Sequence, residues 1–272
     1  MHYLDSHNHL QDPRISTLRP SILAQAGKLG IAGMVVNGTS EADWLQVQEL
    51  SKENQMIVPS FGLHPWFIRQ RSTTWKETLL SHLEKVPSAI GEIGLDRWIK
   101  DFDPAEQEEV FLWQWRLAAE RGLPASVHCL KAWGRLLELI QANPGPKCGF
   151  LLHSYGGPAE LIKDFTELGA YFSFSGHFAH ERKAQAREIF KQIPNDHILV
   201  ETDAPDMLPP DCLVNYPIAD PATGRALNHP ANLPSIYEFA AELRQESLAV
   251  FSERIKANFL ALFGDLFHGN LV

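Results

Sequence analysis

The chain has 272 residues, 44% of them hydrophobic, enough for a large buried core, which excludes a disordered or fibrous protein. Lys and Arg number 24 against 33 Asp and Glu, a formal charge of −9 with the twelve histidines neutral. The broad basic field that retains duplex nucleic acid is therefore excluded, and activity on nucleic acid would need local cations or bound metal. Cys129, Cys148 and Cys212 are odd in number, scattered, and without C-x-x-C spacing, a pattern that argues against a disulfide framework and suits a reducing cytosol. Met1 to Asp5 carries no basic region followed by a long apolar run, and no stretch reaches the roughly 18 apolar residues of a membrane-spanning helix. A cytoplasmic location away from membranes is expected.

Leu4-Asp5-Ser6-His7-Asn8-His9-Leu10 reads as a first strand on which His7 and His9, two apart, share a face. Ser21 to Gly30 is a short helix ended by glycine, and Ile31 to Thr39 a buried strand closed by a turn. Ser40-Glu41-Ala42-Asp43 opens a helix continued by Trp44, Val47 and Leu50. Met56 to Gly62 is the third strand, Trp75 to Leu83 a helix, and Ser88 to Asp96 the fourth strand. Pro104 opens a strong helix through Ala119, with Val110, Leu112, Trp113, Leu117 and Ala118 on its apolar side. The pattern continues with a strand at Pro124 to Cys129, a helix at Trp133 to Ile140 and a strand at Gly149 to His153. A helix at Pro158 to Leu168, a strand at Ala170 to Gly176, a charged helix at Arg182 to Gln192 and a strand at His197 to Asp203 follow. A proline-rich loop from Met207 to Pro230 precedes helices at Leu233 to Leu243 and Ser247 to Phe263.

Eight strands, each followed by a helix, predict an α/β protein of the (β/α)8 TIM-barrel class, one domain over residues 1–272. A doubly wound open sheet is the alternative built from the same units. Two features favour closure: the count of eight, and ligand-type residues at strand ends from first to last, where an open sheet would gather its site at one switch point.

Those strand-end residues are His7 and His9, His64 just past the third strand, Glu92, His128, His153 and Asp203. Closed into a barrel they would form one ring at the face where such enzymes place their chemistry. Mixed imidazoles and carboxylates in that number exceed one tetrahedral ion and suit two ions bridged by a carboxylate. Glu92 lies in Ala-Ile-Gly-Glu-Ile-Gly-Leu, where an unpaired carboxylate would be costly. Asp203 closes an apolar run in the same way, with a turn cap as its rival role. A single histidine after an apolar run is usually a hydrogen-bonded core residue, but His128 and His153 on neighbouring strands favour a shared site. His64 reads as a hydrogen-bond donor, substrate contact or loop anchor before a ligand. Glu201 shares the face of Asp203, as a supporting partner or part of the packed wall. Trp113 and Trp115 read as packing residues.

With these residues in hand the chain resembles the TatD-type metal-dependent deoxyribonucleases, within the amidohydrolase-like barrels. The likeness runs through Asp5-Ser6-His7-Asn8-His9, Gly62-Leu63-His64-Pro65, Gly91-Glu92-Ile93-Gly94-Leu95-Asp96, Leu123-Pro124 to His128 and His153-Ser154-Tyr155-Gly156-Gly157. It continues through Phe172 to Gly176, Glu201-Thr202-Asp203-Ala204-Pro205 and Pro230-Ala231-Asn232-Leu233-Pro234. The resemblance implies two divalent ions, one held by His7, His9, Glu92 and Asp203, the other by Glu92, His128 and His153; the imidazole-carboxylate mixture accepts zinc, manganese or iron, and magnesium where carboxylates and water dominate. It also implies hydrolysis of phosphodiesters, DNA or nucleotides, of exonuclease type, with Glu92 bridging and Asp203 accepting a proton from water. Substrate contacts are expected at His64, Arg97, Lys131, His177 and His229, and no obligatory protein partner is expected. The chain departs from the family at the rim. Leu130 stands where arginine is frequent, with Lys131 next; Tyr155 replaces phenylalanine, Arg97-Trp98 takes the place of a tyrosine, and His229 that of a glutamate. Leucine cannot supply the bidentate phosphate grip of arginine. Hydrolysis of a different ester or amide on the same metal pair is therefore the alternative, and a non-catalytic partner-binding barrel a more distant one.

Overall fold

A computed structural model describes residues 1–101 and 103–269. Eight parallel strands follow one another in chain order around a nearly closed barrel: β1 (Tyr3–Asn8), β2 (Ile31–Asn37), β3 (Ile57–Phe61), β4 (Ala89–Asp96), β5 (Ala125–Leu130), β6 (Phe150–Leu152), β7 (Ala170–Ser175) and β8 (Ile198–Glu201). The helices between and after them are α1 (Arg19–Lys28), α2 (Trp44–Glu53), α3 (Trp75–Lys85), α4 (Pro104–Arg121), α5 (Trp133–Ala142), α6 (Ile162–Glu167), α7 (Ala184–Phe190), α8 (Leu233–Leu243) and α9 (Leu248–Phe263). Strand order 1 to 8 without a crossover excludes the open doubly wound sheet. Among the described residues no helix is long and apolar enough to cross a membrane.

Several elements differ at their ends from the sequence reading. α1 begins at Arg19, because Pro20 is tolerated in a first helical turn. α6 and α7 are shorter than expected, since Ala159–Leu161 and Glu181–Lys183 form 3-10 turns ahead of them. β8 stops at Glu201, and Asp203 lies in the following turn with φ 54. The loop from Met207 to Pro230 contains a two-residue hairpin of Ile218–Ala219 with Ala226–Leu227.

The buried face of α4 also departs from the apolar pattern. Phe111, Gln114 and Trp115 are buried, whereas Leu112 and Trp113 are only partly so. The cause is a pair of glutamines seven apart. Gln114 accepts from Leu63 N (2.7 Å) and donates to Leu63 O (3.2 Å); Gln107 accepts from Asp96 N (3.1 Å) and donates to Asp96 O (2.9 Å). Both satisfy backbone groups beyond β3 and at the end of β4, which an apolar residue would leave unpaired.

Among the described residues the seam between β1 and β8 has no regular ladder. The Tyr237 hydroxyl of α8 accepts from Leu4 N (3.0 Å) and donates to Leu4 O (2.8 Å), standing in for a neighbouring strand. Ser6 Oγ donates to Val200 O (3.0 Å), Asp203 N to His7 O (2.9 Å) and His9 N to Ala204 O (2.7 Å). Asp5, fully buried, accepts from Thr202 N (2.9 Å) and the Thr202 hydroxyl, tying β1 to the turn that carries Asp203.

Candidate metal centre

The chain at the carboxyl ends of the strands turns seven ligand-type side chains into one buried cluster. Glu92 is its hinge. Its Oε2 lies 3.5 Å from His7 Nε2 and 3.3 Å from His9 Nε2, while Oε1 lies 2.9 Å from His153 Nε2, 3.1 Å from His128 Nδ1 and 3.2 Å from His64 Nε2. Asp203 Oδ1 joins the first group, 3.6 Å from His7 Nε2 and 3.4 Å from His9 Nε2. Three overlapping triads have ligand atoms close enough to share an ion: His7, His153 and Asp203; His7, His9 and Glu92; His64, Glu92 and His128. Gly94, with φ 148, allows the close approach of β4 to β5, because a Cβ there would overlap the His128 carbonyl.

Hydrogen bonds on the far side of each ring decide which nitrogen faces the cluster with a lone pair. His9 Nδ1 donates to the Asn37 carbonyl at 2.8 Å, which leaves Nε2 of the neutral ring as acceptor. His128 Nε2 donates to Asp96 Oδ2 at 3.0 Å, so Nδ1 faces Glu92 with its lone pair. His7 Nδ1 is 2.9 Å from Ser126 Oγ, whose hydroxyl can accept and leave Nε2 free. His153 Nδ1 is 3.6 Å from Glu201 Oε1 and makes no hydrogen bond, and the Glu201 carboxylate is itself held by the hydroxyls of Ser154 and Ser173. His64 is the opposite case. Its Nδ1 accepts from Trp66 N at 3.1 Å, so its neutral ring carries the proton on Nε2 and donates it to Glu92 Oε1. Proximity alone would count His64 as a ligand; its tautomer makes it a donor to Glu92. Four imidazole lone pairs and two carboxylates remain, a donor set that fits divalent first-row ions.

The electrostatics follow from packing carboxylates among imidazoles away from water. Burial alone would lower His9 and His153, yet the hydrogen bonds and charges of Asp203 and Glu92 on the first, and the nearby carboxylates of Glu92 and Glu201 on the second, carry both well above the usual imidazole range. Burial would raise Glu92, but the facing His64, His153 and His128 hold it well below the usual carboxylate value. Asp203 is lowered in the same way, against its burial, by His9, His153 and His7. Burial pushes His64 down to about 4, consistent with a neutral ring. Protons on His9 and His153 thus balance the carboxylates, a role a cation can take over.

The other candidates stand outside this cluster. Among the described residues no hydrogen bond or ion pair joins Arg97, Lys131, His177 or His229 to it. Arg97 is exposed, its Nη2 4.0 Å from Glu108 Oε1. Lys131 follows β5 with φ 55 and holds Nζ 4.7 Å from the centre of the Trp98 ring. His177 has Nδ1 3.4 Å from Leu208 O and Nε2 3.3 Å from Arg182. His229 is buried, and its Nδ1 accepts from Ala231 N at 2.8 Å, capping the turn before α8. The supporting residues Asn37, Ser126 and Asp96 were not singled out in sequence. Two of them left a periodicity signal: Asp96 is four beyond Glu92, and Ser126 two before His128, on the same strand faces.

The TatD related DNase family matches residues 4–264 of this chain. The 3'-5' ssDNA/RNA exonuclease TatD of Escherichia coli (strain K12) is 31% identical over 252 residues, covering 92% of this chain and 94% of the relative. Its counterpart in Shigella flexneri serotype 5b is 32% identical with the same coverage. Among solved structures, a TatD homologue from Escherichia coli K12 superposes with a TM-score of 0.86 at 26% identity, covering 96% of this chain and 98% of that one. A TatD-family hydrolase from Entamoeba histolytica has the same fold, with a TM-score of 0.82 at 20% identity over 96% and 98%.

Proposed function

Because this chain belongs to the family of TatD related DNases, we propose that it is a divalent-metal-dependent phosphodiesterase that releases nucleotides from an end of DNA or RNA. One observation supports this reading above the others: four imidazole lone pairs, three of them aimed by a hydrogen-bond partner behind the ring, converge on the two oxygens of Glu92. In this proposal His7, His9, Glu92 and Asp203 hold one ion, and Glu92, His128 and His153 a second. A bound divalent ion supplies a Lewis acid for a phosphoryl oxygen and a water that is acidic near neutral pH.

The protein's own groups do the rest. Asp203, half of whose carboxylate is engaged by His7 and His9, is placed to accept the proton of the attacking water. His64 donates its Nε2 proton to Glu92 and restrains the bridging carboxylate. Asn37, Ser126 and Asp96 set the ring orientations of His9, His7 and His128 from behind, and Glu201 places a negative charge 3.6 Å behind His153. Three unpaired thiols, Cys129, Cys148 and Cys212, support a reducing compartment such as the cytoplasm.

The test is nucleotide release from single-stranded and duplex substrates by metal-stripped protein, with magnesium, manganese or zinc restored. Release is expected to require metal and to fall below detection in Asp203→Ala and Glu92→Ala. A second reading, hydrolysis of another ester or an amide, is favoured by Leu130 in the place of arginine. It would replace the first if protein shown to bind two ions cleaves no strand but turns over simple carboxyl esters or amides.

A further inference from the structure

The metal centre leaves unexplained two large aromatic side chains at its rim. Trp66 is 55% exposed and Trp98 64%, although an indole gains more by burial than any other side chain of this chain. Both are held in place by one carboxylate. Trp66 Nε1 donates to Asp96 Oδ2 at 2.7 Å, Trp98 N donates to Asp96 Oδ1 at 2.7 Å, and Asp96 Oδ2 also accepts from the ring of His128. The Trp66 ring and the Trp98 backbone are therefore anchored one residue away from a side chain of the metal centre. Lys131, in the left-handed region directly after Leu130, places its ammonium 4.7 Å from the Trp98 ring centre. Within the described residues neither Lys131 nor its ring partner has a carboxylate to neutralise the charge.

We propose that Trp66 and Trp98, with Lys131, form a stacking platform for the unpaired terminal bases of a single-stranded nucleic acid. The inference rests on the phosphodiesterase reading and supplies its substrate preference. A base in a duplex has its faces covered by its neighbours, whereas an unpaired base offers a π-face that any indole can take, whatever its sequence. A lysine over one face of Trp98 leaves the other for a base and sets a positive charge beside it for the phosphate. Lys131 thereby gives back, as a point charge, part of what Leu130 removes. The −9 chain has no general attraction for a polyanion, so grip has to come from such local contacts.

The experiment measures binding rather than cleavage. Fluorescein-labelled single strands of eight thymidines are titrated by anisotropy against the full-length protein in EDTA, beside strands of the same length whose last three residues at the unlabelled end are abasic. The two carry the same phosphates and differ only in bases. Wild type is expected to prefer the strand with bases by about 5-fold or more. Trp98→Ala is expected to reduce that preference towards one, Trp98→Phe to restore it, and Lys131→Ala to weaken both strands alike. Equal affinity of wild type for the two strands, binding of neither, or a preference that survives in both Trp98→Ala and Trp66→Ala overturns the proposal. Nucleotide release with metal restored is read separately, so failure of the hydrolytic reading appears in a different measurement.

Discussion

Asp96 receives four donors: the Trp66 indole, the His128 ring and the backbone amides of Trp98 and Ile99. Burial works against its ionisation, but the hydrogen bonds from His128 and Trp66 hold it down at about 2. An asparagine offers one acceptor oxygen where two are needed, and turns an NH2 towards donors. Asp96→Asn is therefore expected to lower affinity for one of two ions by about 10- to 100-fold, as partners behind metal-bound histidines commonly do. Calorimetric titration with zinc or manganese checks it, and two unchanged affinities would refute the role given to His128. The same chemistry fixes a pH dependence. His9 and His153 lie above the usual imidazole range without metal, so they hold protons near neutral pH that an ion must displace. Affinity is expected to rise with pH through neutrality, with proton release visible as a binding enthalpy that changes with the ionisation enthalpy of the buffer. A buffer-independent enthalpy would contradict this.

At the scale of elements, the site depends on how strands end. Regular pairing stops at the carboxyl ends of β3 and β4, and Gln107 and Gln114 of α4 take up the backbone groups that pairing leaves open. The seam between β1 and β8 is completed by the Tyr237 hydroxyl acting on both polar groups of Leu4. Tyr237→Phe keeps the packing of the ring and orphans a buried N–H and a buried C=O, each worth about 1–3 kcal/mol. Loss of about 2 kcal/mol or more is expected, seen as a lower midpoint of urea unfolding. An unchanged midpoint would mean that β1 is held by the Asp5 and Ser6 contacts alone.

Taken whole, the protein is an acidic barrel whose mouth gathers five imidazoles and two carboxylates. Filling one ion site at a hundredfold excess over its Kd is worth about 2.7 kcal/mol, so Tm is expected to rise by about 5–10 °C relative to protein in EDTA. On a chain of net charge −9, single-strand binding is expected to weaken gently with salt, at a log–log slope no steeper than about −2, since each phosphate contact contributes about −0.7. A slope several times steeper would point to a basic surface elsewhere on the chain.

Much was legible from sequence because the barrel is built of local units. Each strand is an apolar run short enough to count, and of the seven clustered side chains all but Glu92, which lies within β4, stand towards or just past the carboxyl end of such a run. Residue type and strand-end position, with period-two alternation, therefore determined the barrel and the roster of candidates. The pairing of Glu92 Oε1 with three histidines and Oε2 with two came only from tertiary structure, as did the tautomer of His64 and the grip of Asp96 on Trp66 and His128. The apolar pattern marks Val110, Leu117 and Ala118 of the buried face of α4 but not Gln107 and Gln114, which are buried by the backbone they satisfy, a demand set by strands elsewhere in the chain. Periodicity records which face of a local element avoids water. Which nitrogen keeps a lone pair is settled by the atom behind the ring, and Asn37 behind His9 or Ser126 behind His7 reaches that place only when distant strands close on one another.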